Sequence, residues 1–153
     1  MSQPTMDVRS MLGLTTRFMV DVGGIPLGGW ARCKGLAVSF NPEFVTEGGQ
    51  YQHKIVMPGR IDYSKVTLER AMNGPDSAKV QGWLKQMAAT WANAANSGGG
   101  QTANVTLLDA TGKKVANWSL RNVYPSMWKG PDLDALTFGI AVEVLELVHE
   151  GFL

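Results

Sequence analysis

The sequence contains few of the residues from which catalytic and metal sites are built. Its 153 residues include a single cysteine, Cys33, and two histidines, His53 and His149. One cysteine forms neither an internal disulfide nor a multi-cysteine zinc site. Neither histidine has a catalytic partner beside it in the sequence, and lone histidines are usually structural or solvated. We therefore predict that the protein holds no metal and no cofactor.

The sequence also lacks an excess of one charge and any long hydrophobic run. Fourteen basic residues against thirteen acidic ones leave a net charge of +1, so no overall field attracts nucleic acid or anionic lipid. No apolar run approaches the ~20 residues of a membrane span, and the first residues lack the basic start and apolar centre of a signal peptide. We expect a chain that is made in the cytoplasm and does not insert into a membrane.

Motifs for nucleotide or cation binding are missing as well. The glycine run Gly98 to Gly100 lacks the Gly-Lys-Ser/Thr ending of a phosphate-binding loop. Asp132 and Asp134 follow Gly130-Pro131, where a turn with a capping carboxylate is more common than a cation site.

Cys33 is the one residue that invites a catalytic interpretation. It lies between Arg32 and Lys34, and basic neighbours lower the pKa of a thiol. A nucleophile also needs a positioned base, and the sequence shows none. We predict a buried or half-buried thiol and no enzymatic activity, and we keep catalysis by Cys33 as an alternative.

Most of the chain consists of short stretches in which apolar and polar residues alternate, separated by turn residues. Phe18, Val20 and Val22 alternate in this way before a Gly23-Gly24 turn, and further stretches lie over 25–32, 35–40, 66–69, 105–108 and 115–120. Hairpin-connected strands of this kind form antiparallel sheets. The sequence therefore predicts a mainly β fold of six to seven antiparallel strands, arranged as a barrel or sandwich.

One helix is predicted after Asp76 and Ser77, which can cap its free N–H groups. Its apolar stripe recurs at helical spacing and comprises Val80, Trp83, Leu84, Met87 and Trp91. Asn96 to Gly100 should end it. Large aromatic residues dominate core burial, so packing of the stripe on the sheet is favoured over a cofactor site.

The stretch from Arg121 onward combines turn chemistry with a strong alternating pattern. Pro125 and Pro131 predict irregular structure over 122–132, because proline lacks an N–H and restricts the residue before it. A long strand should follow, with helix as the competing assignment. Its apolar side comprises Leu136, Phe138, Ile140, Val142 and Val144.

By length the chain is one domain, residues 1–153. Residues 1–15 show no period and are predicted to form an arm. Residues 42–60 form an unusually long loop in which Tyr51, His53, Ile55 and Met57 alternate with other residues, which predicts a projecting hairpin with an apolar edge. The alternative is a loop that folds back on its own domain.

Across nearly its whole length, the chain resembles the contractile-tail tube proteins in the order and spacing of its motifs. In the first half the matching stretches are Phe18 to Gly24, Lys34 to Leu36, Glu47 to Gly49, Pro58-Gly59 and Tyr63 to Arg70. In the second half they are Trp83-Leu84, Val105 to Asp109 with Gly112, Trp118, Asn122 to Pro125, Trp128, Glu143 to Leu147, His149 and Gly151-Phe152.

The resemblance implies a structural subunit without enzymatic activity. Relatives form hexameric rings that stack into the hollow inner tube of phage tails, extracellular contractile injection particles and, through the haemolysin-coregulated protein, type VI secretion. Sheath contraction drives such a tube through a target envelope to deliver DNA or protein cargo. The implied partners are further copies of the chain, sheath protein, baseplate or hub, tape-measure or cap proteins, and cargo held by weak contact. The particle assembles in the bacterial cytoplasm and is a virion tail or a released injection device.

The resemblance also assigns roles to residues. The long loop would contact the neighbouring ring through Glu47, Gly48, Gly49, Tyr51, His53, Ile55 and Met57. A face of small and polar residues would line the lumen and comprises Ala37, Ser39, Thr137, Gly139, Ala141 and Glu143. The expected core comprises Phe18, Val20, Leu36, Val38, Trp83, Leu84, Met87, Trp91, Phe138, Ile140 and Val142. The alternative function is that of a monomeric β-barrel that binds a small ligand in a closed apolar cavity.

Overall fold

The computed structural model describes residues 12–46, 48–49, 52–92 and 100–153. Within them the chain forms eleven strands and one helix. The strands are β1 (Gly13–Val22), β2 (Ile25–Pro26), β3 (Arg32–Lys34), β4 (Val38–Ser39), β5 (Glu43–Val45), β6 (Ile55–Met57), β7 (Asp62–Tyr63), β8 (Val66–Ala71), β9 (Gln101–Asp109), β10 (Lys114–Lys129) and β11 (Val142–Val148). The helix is α1 (Gly74–Ala92).

Seven strands form one antiparallel sheet in the order β2-β1-β9-β10-β11-β8-β3. The Gly23-Gly24 turn joins β1 to β2 with φ values of 60° and 77°, which glycine adopts without steric cost. Strands β4 and β7 form a separate pair, as do β5 and β6. The predicted mainly β fold of six to seven antiparallel strands with a flanking helix is confirmed, since the main sheet has seven strands and the shorter strands form two further pairs.

The core lies between the inner face of this sheet and α1. Strand residues spaced by two point to the same side, and the buried members of this pattern are Val20, Val22, Val66, Leu68, Ala103, Val105, Leu145 and Leu147. From α1, Val80, Trp83 and Met87 pack against them. The Trp83 Nε1–H donates to Gln101 Oε1 at 2.9 Å, so the indole is buried without an unpaired donor. Phe18, Leu36 and Leu84 pack half-buried against the same cluster, and Val38 is half-buried.

Strand β10 passes through most of the stretch predicted to be irregular and ends at Lys129, so that prediction is wrong over 122–129. Residues 114–123 of β10 pair with β9, whereas residues 124–129 pair with β11. Strand β9 begins at Gln101, opposite Val123, and therefore leaves one side of β10 free from Tyr124 onward within the described residues. Pro125, which has no N–H to donate, lies in this part of β10, and the register between β10 and β11 shifts between Pro125 and Met127. A bulge and a single-sided edge are the positions where a sheet tolerates proline.

The long strand predicted over 136–144 begins only at Val142, and its predicted core face is exposed. Phe138 is 99% exposed and Ile140 75%, while Val142 is 42% exposed. The inward residues of β11 are instead Glu143, Leu145 and Leu147. The last backbone bond between β8 and the approach to β11 runs from Met72 N to Ala141 O, so residues 131–141 have no partner strand within the described chain. Alternation shows which residues can share a face, but a strand also needs a neighbour.

Two further expectations change. Trp91 was predicted to belong to the core, but it is 53% exposed and packs at one edge against Tyr124, with ring centroids 6.0 Å apart. It lies in the last turn of α1, beyond the sheet residues that cover Trp83 and Met87. The prediction of an arm is wrong for residues 13–15, because β1 begins at Gly13 and pairs there with Asp109, and the predicted arm over 1–11 lies outside the described residues. The predicted helix end at Asn96 to Gly100 falls mainly outside the described residues.

Candidate assembly interface

The described part of the chain shows no constellation for catalysis or metal binding. Among these residues, no group of three or more His, Cys, Asp or Glu side chains is placed to hold a metal ion. Burial raises the pKa of the Cys33 thiol to about 11, which outweighs its basic neighbours and keeps it protonated at neutral pH. No helix in the described ranges combines the length and hydrophobicity that a membrane span needs.

His149 has a structural environment. Its Nε2 lies 3.1 Å from the Ser64 carbonyl oxygen, and its ring packs against Tyr63 and Phe152. Burial lowers the pKa of His149, so the neutral imidazole is favoured. The cluster holds the C-terminal residues against the sheet, together with the bond from Arg121 to the Leu153 oxygen at 2.6 Å. His53 is exposed.

The predicted projecting loop contains a hairpin formed by β5 and β6, which within the described residues pair only with each other. Phe44 lies opposite Val56 and Val45 opposite Ile55, so both faces of the hairpin carry apolar side chains. Phe44 is 63% exposed, Val56 59% and Met57 48%. A two-stranded hairpin is marginal in water on its own. Of the predicted contact residues, Gly48 and Gly49 form the exposed turn, whereas Glu47 and Tyr51 lie outside the described residues.

A clamp at Asn41 fixes the base of this hairpin. The Asn41 side-chain amide donates to the Arg60 carbonyl oxygen at 3.0 Å and to Asp62 Oδ2 at 2.8 Å. A Cβ added to Gly59 would lie 1.7 Å from the Asn41 carbonyl oxygen, so the two chain segments meet backbone to backbone. The hairpin therefore leaves the body of the protein at a defined place.

Residues 131–141, which we call the apolar segment, form a second exposed surface. Leu133 is 87% exposed, Leu136 97%, Phe138 99% and Ile140 75%. Asp134 organises the centre of the segment, because its carboxylate accepts hydrogen bonds from Leu136 N and Thr137 Oγ1, both at 2.9 Å. These bonds, the backbone N–H of Leu136 first, lower the pKa of Asp134.

A buried ion pair anchors the end of the apolar segment. Glu143 is fully buried, and its Oε1 accepts hydrogen bonds from Arg70 Nε at 2.6 Å and Ser77 Oγ at 3.1 Å. Its Oε2 accepts a hydrogen bond from Trp128 Nε1 at 3.1 Å. The predicted lumenal position of Glu143 is therefore wrong, since a carboxylate satisfied by three donors and lacking solvent contact belongs to the core.

Arg70 extends this network to the neighbouring elements. Its guanidinium donates to the carbonyl oxygens of Leu27 at 2.6 Å and Asp76 at 2.7 Å, and it lies 4.1 Å from the centre of the Trp30 ring. The network thus joins β8, β10, β11, the start of α1 and the connection between β2 and β3. Sequence reasoning missed it, although Arg70 is in phase with Val66 and Leu68, and Glu143 with Leu145. When each of two strands has a charged residue at a position that alternates with its buried apolar residues, the pattern indicates such a buried ion pair.

An apolar groove opens between β3 and the β1-β9-β10 part of the sheet. Its volume is about 500 Å³, and its apolar lining comprises Phe18, Ala31, Cys33, Leu36, Leu107 and Trp118. Arg32 and Lys34 flank Cys33 on β3, and both are exposed. We call this surface the β3 groove. The groove is open rather than the closed cavity expected of a small-ligand barrel.

Both ends of the seven-stranded sheet also have free strand edges within the described residues. Strand β2 covers only Asp21 and Val22 of β1, so within the described residues Gly13 and Phe18 to Val20 pair on one side only, with β9. Strand β3 ends the sheet and pairs only with β8. Free edges present unpaired N–H and C=O groups that bind another strand.

Residues 14–153 match the family model described as T4-like virus tail tube protein gp19. The chain belongs to this tail tube protein family. It has no match among curated protein sequences. A chain of an extracellular contractile injection system, in the PVC sheath-tube complex in its extended state, aligns with 20% identity and a TM-score of 0.72, over 97% of this chain and 95% of its own.

Two solved structures of the anti-feeding prophage also contain similar chains. A chain of its baseplate has 22% identity and a TM-score of 0.65, over 98% of this chain and 94% of its own. A chain of its tube-terminating cap has 22% identity and a TM-score of 0.70, over 92% of this chain and 88% of its own. At these identities the likeness shows the fold.

Family membership confirms the predicted class of function. The protein is a structural tube protein of the virus-tail type, and its family is not enzymatic. The hairpin, the apolar segment, the β3 groove and the free strand edges are the surfaces available for assembly.

Proposed function

We propose that six copies of this tail tube protein form a ring, and that rings stack into a hollow tube. One observation supports this most strongly: the sheet has a free edge at each end within the described residues, on β1 and on β3. Strands from neighbouring copies can pair at these edges and close the sheets into one barrel. A contact between two different edges is heterologous, and a heterologous contact that closes generates a ring.

The hairpin supplies the contact between rings in this proposal. Its two apolar faces are exposed, and its base is clamped at Asn41, so it is presented to a partner in a defined orientation. Burial of Phe44, Val56 and Met57 against the next ring would stabilise the hairpin and the stack together, at roughly 25 cal/mol per Å² of apolar surface.

We propose a lumen lined by Ala37, Ser39, Thr137, Gly139 and Ala141. The first four are exposed, and Ala141 is half-buried. Small and weakly polar side chains leave no pockets that would retain a passing cargo. Cysteine substitution at Thr137 and at Phe138, followed by labelling of assembled tubes, tests this face. Faster labelling at Phe138 than at Thr137 would contradict it.

The neighbouring structures support the wider assembly. They come from a sheath-tube complex, a baseplate and a tube-terminating cap. We propose that this chain likewise contacts a sheath, a baseplate or hub and a cap or tape-measure protein. Sheath contraction would drive the tube, and DNA or protein cargo would pass through it. Assembly would take place in the bacterial cytoplasm.

Native mass spectrometry of the purified full-length chain tests the ring. We expect a dominant species of six chains and higher species that are multiples of six as the concentration rises. A monomer at all concentrations, carrying a co-purified small ligand in the β3 groove, would instead support the binding-module alternative.

A further inference from the structure

We propose that the apolar segment of one copy docks in the β3 groove of the next copy around the ring, with Phe138 as its anchor. This inference rests on the proposed ring and names the surfaces that meet in it. The segment and the groove are different parts of the chain, so their contact is heterologous and repeats in one direction around a ring.

The apolar segment presents exposed apolar side chains on an ordered turn. Phe138 and Leu136 are almost fully exposed, yet Asp134 fixes the turn that carries them. The buried Glu143–Arg70 pair fixes the point at which the segment joins β11. Because the segment is already ordered, little conformational entropy is lost when it binds. Exposed, ordered aromatic side chains of this kind are typical anchors of protein interfaces.

The β3 groove is apolar and large enough to receive these side chains. Phe18, Leu107 and Trp118 give it an apolar lining, and its volume of about 500 Å³ accommodates a phenyl ring with a neighbouring aliphatic side chain. It also lies beside β3, one of the two free edges of the sheet. A contact there is therefore continuous with the strand-edge contact of the proposed ring.

The charges at the two surfaces are complementary. Asp132 and Asp134 lie on the exposed part of the apolar segment. Arg32 lines the groove, where it also pairs with Glu69 at 3.2 Å, and Lys34 is exposed two residues further along β3. Opposite charges at the rim of an apolar contact favour the correct partner and orientation over others. This argues for a second copy of the chain as the occupant of the groove, in preference to an uncharged small molecule.

Photo-crosslinking from position 138 tests the contact directly. The full-length Phe138→p-benzoylphenylalanine variant is mixed with ¹⁵N-labelled wild-type chain, assembled, irradiated and digested. We expect crosslinks from the variant to labelled peptides that contain Phe18, Leu36 or Trp118. The same probe at Trp91, an exposed aromatic position on α1, is the matched control and should give no crosslinks to these peptides.

Other outcomes overturn the inference. Crosslinks from position 138 to the hairpin of another copy, to the same chain or to no chain within assembled rings would each exclude docking in the groove. If wild-type rings do not form, the proposed function fails as well, whereas rings with crosslinks elsewhere leave that function standing.

Substitutions provide an independent measurement. Because Phe138 is 99% exposed in the single chain, Phe138→Asp should leave the circular dichroism spectrum unchanged. It should reduce the fraction of chains in rings about tenfold or more at equal concentration, since a carboxylate would be desolvated in the groove. Phe138→Leu should form rings as the wild type does. Equal ring formation by the Asp and Leu variants would contradict the proposal.

Discussion

Arg70 and Glu143 show how one residue pair positions several elements at once. Each side chain is almost completely buried, and the Nε–Oε1 distance is 2.6 Å. Removal of one partner from such a pair leaves a buried charge that neither water nor a counter-charge stabilises. The main role of the pair is therefore to specify how β8, β11 and α1 pack together. Compared with an apolar pair at the same positions, it adds little to the free energy of unfolding.

Arg70→Met tests this role. We expect a loss of about 3–5 kcal/mol in the free energy of unfolding, because Glu143 would remain buried without its cation. Urea unfolding at one fixed protein concentration measures it. Arg32→Met is the matched control, since Arg32 pairs with Glu69 at 3.2 Å on the surface and should contribute less than about 1 kcal/mol. Similar losses for both variants would show that the buried network has no special role.

Gly35 offers a second test at the scale of one residue. Its φ is +97°, and a Cβ at this position would lie 1.8 Å from the Lys65 carbonyl oxygen. Gly35→Ala should lower the melting temperature by more than Gly24→Ala. Gly24 also has a positive φ of +77°, but a Cβ there would meet nothing within 4 Å, so only a conformational cost of about 1–2 kcal/mol is expected. Equal melting temperatures for the two variants would contradict the close approach at Lys65.

Single-residue burial could be predicted from the sequence where periodicity was strong. The stripe residues Val80, Trp83 and Met87 are buried, because a helix of this length presents one face to the sheet. The Arg70–Glu143 contact spans 73 residues of sequence, and only the three-dimensional arrangement of β8 and β11 brings the two charges together.

Among the elements, the antiparallel strands and the single helix followed from local pattern, whereas β10 and the apolar segment did not. Pro125 indicated a break, but within the described residues β10 has a neighbour on one side only at that point and its register shifts there, which are positions that tolerate proline. Residues 136–141 alternate like a strand, yet the described chain offers them no strand to pair with. Both errors arise from the positions of neighbouring strands, which a local pattern does not contain.

The hairpin makes the clearest prediction for an element. Met57→Asp should abolish long tubes and leave single rings. A carboxylate would then be buried at an apolar contact between rings, and burying an unpaired charge costs roughly several kcal/mol. Electron microscopy of the assembled protein shows the result.

Gln52→Asp is the matched control, since Gln52 is an exposed polar residue of the same hairpin and should tolerate the charge. Met57→Asp variants that still form long tubes would remove the hairpin from the contact between rings. Loss of rings as well as tubes would place Met57 at a contact within the ring.

At the scale of the whole molecule, the exposed apolar surfaces and the free strand edges belong together. A chain that left Phe44, Leu136 and Phe138 in water and kept two strand edges open would be prone to uncontrolled association. The proposed ring and stack account for these features, because further copies of this tail tube protein would bury them. The sequence predicted this class through its ordered motifs, but it did not show which apolar residues one chain leaves exposed.

A cryo-electron microscopy reconstruction of the assembled wild-type protein tests the proposed ring and stack together. We expect a hollow tube of stacked six-membered rings, with strand pairing across the β1 and β3 edges of adjacent copies and the hairpin against the next ring. A filament without a central channel, or rings in which the β1 and β3 edges remain unpaired, would contradict it.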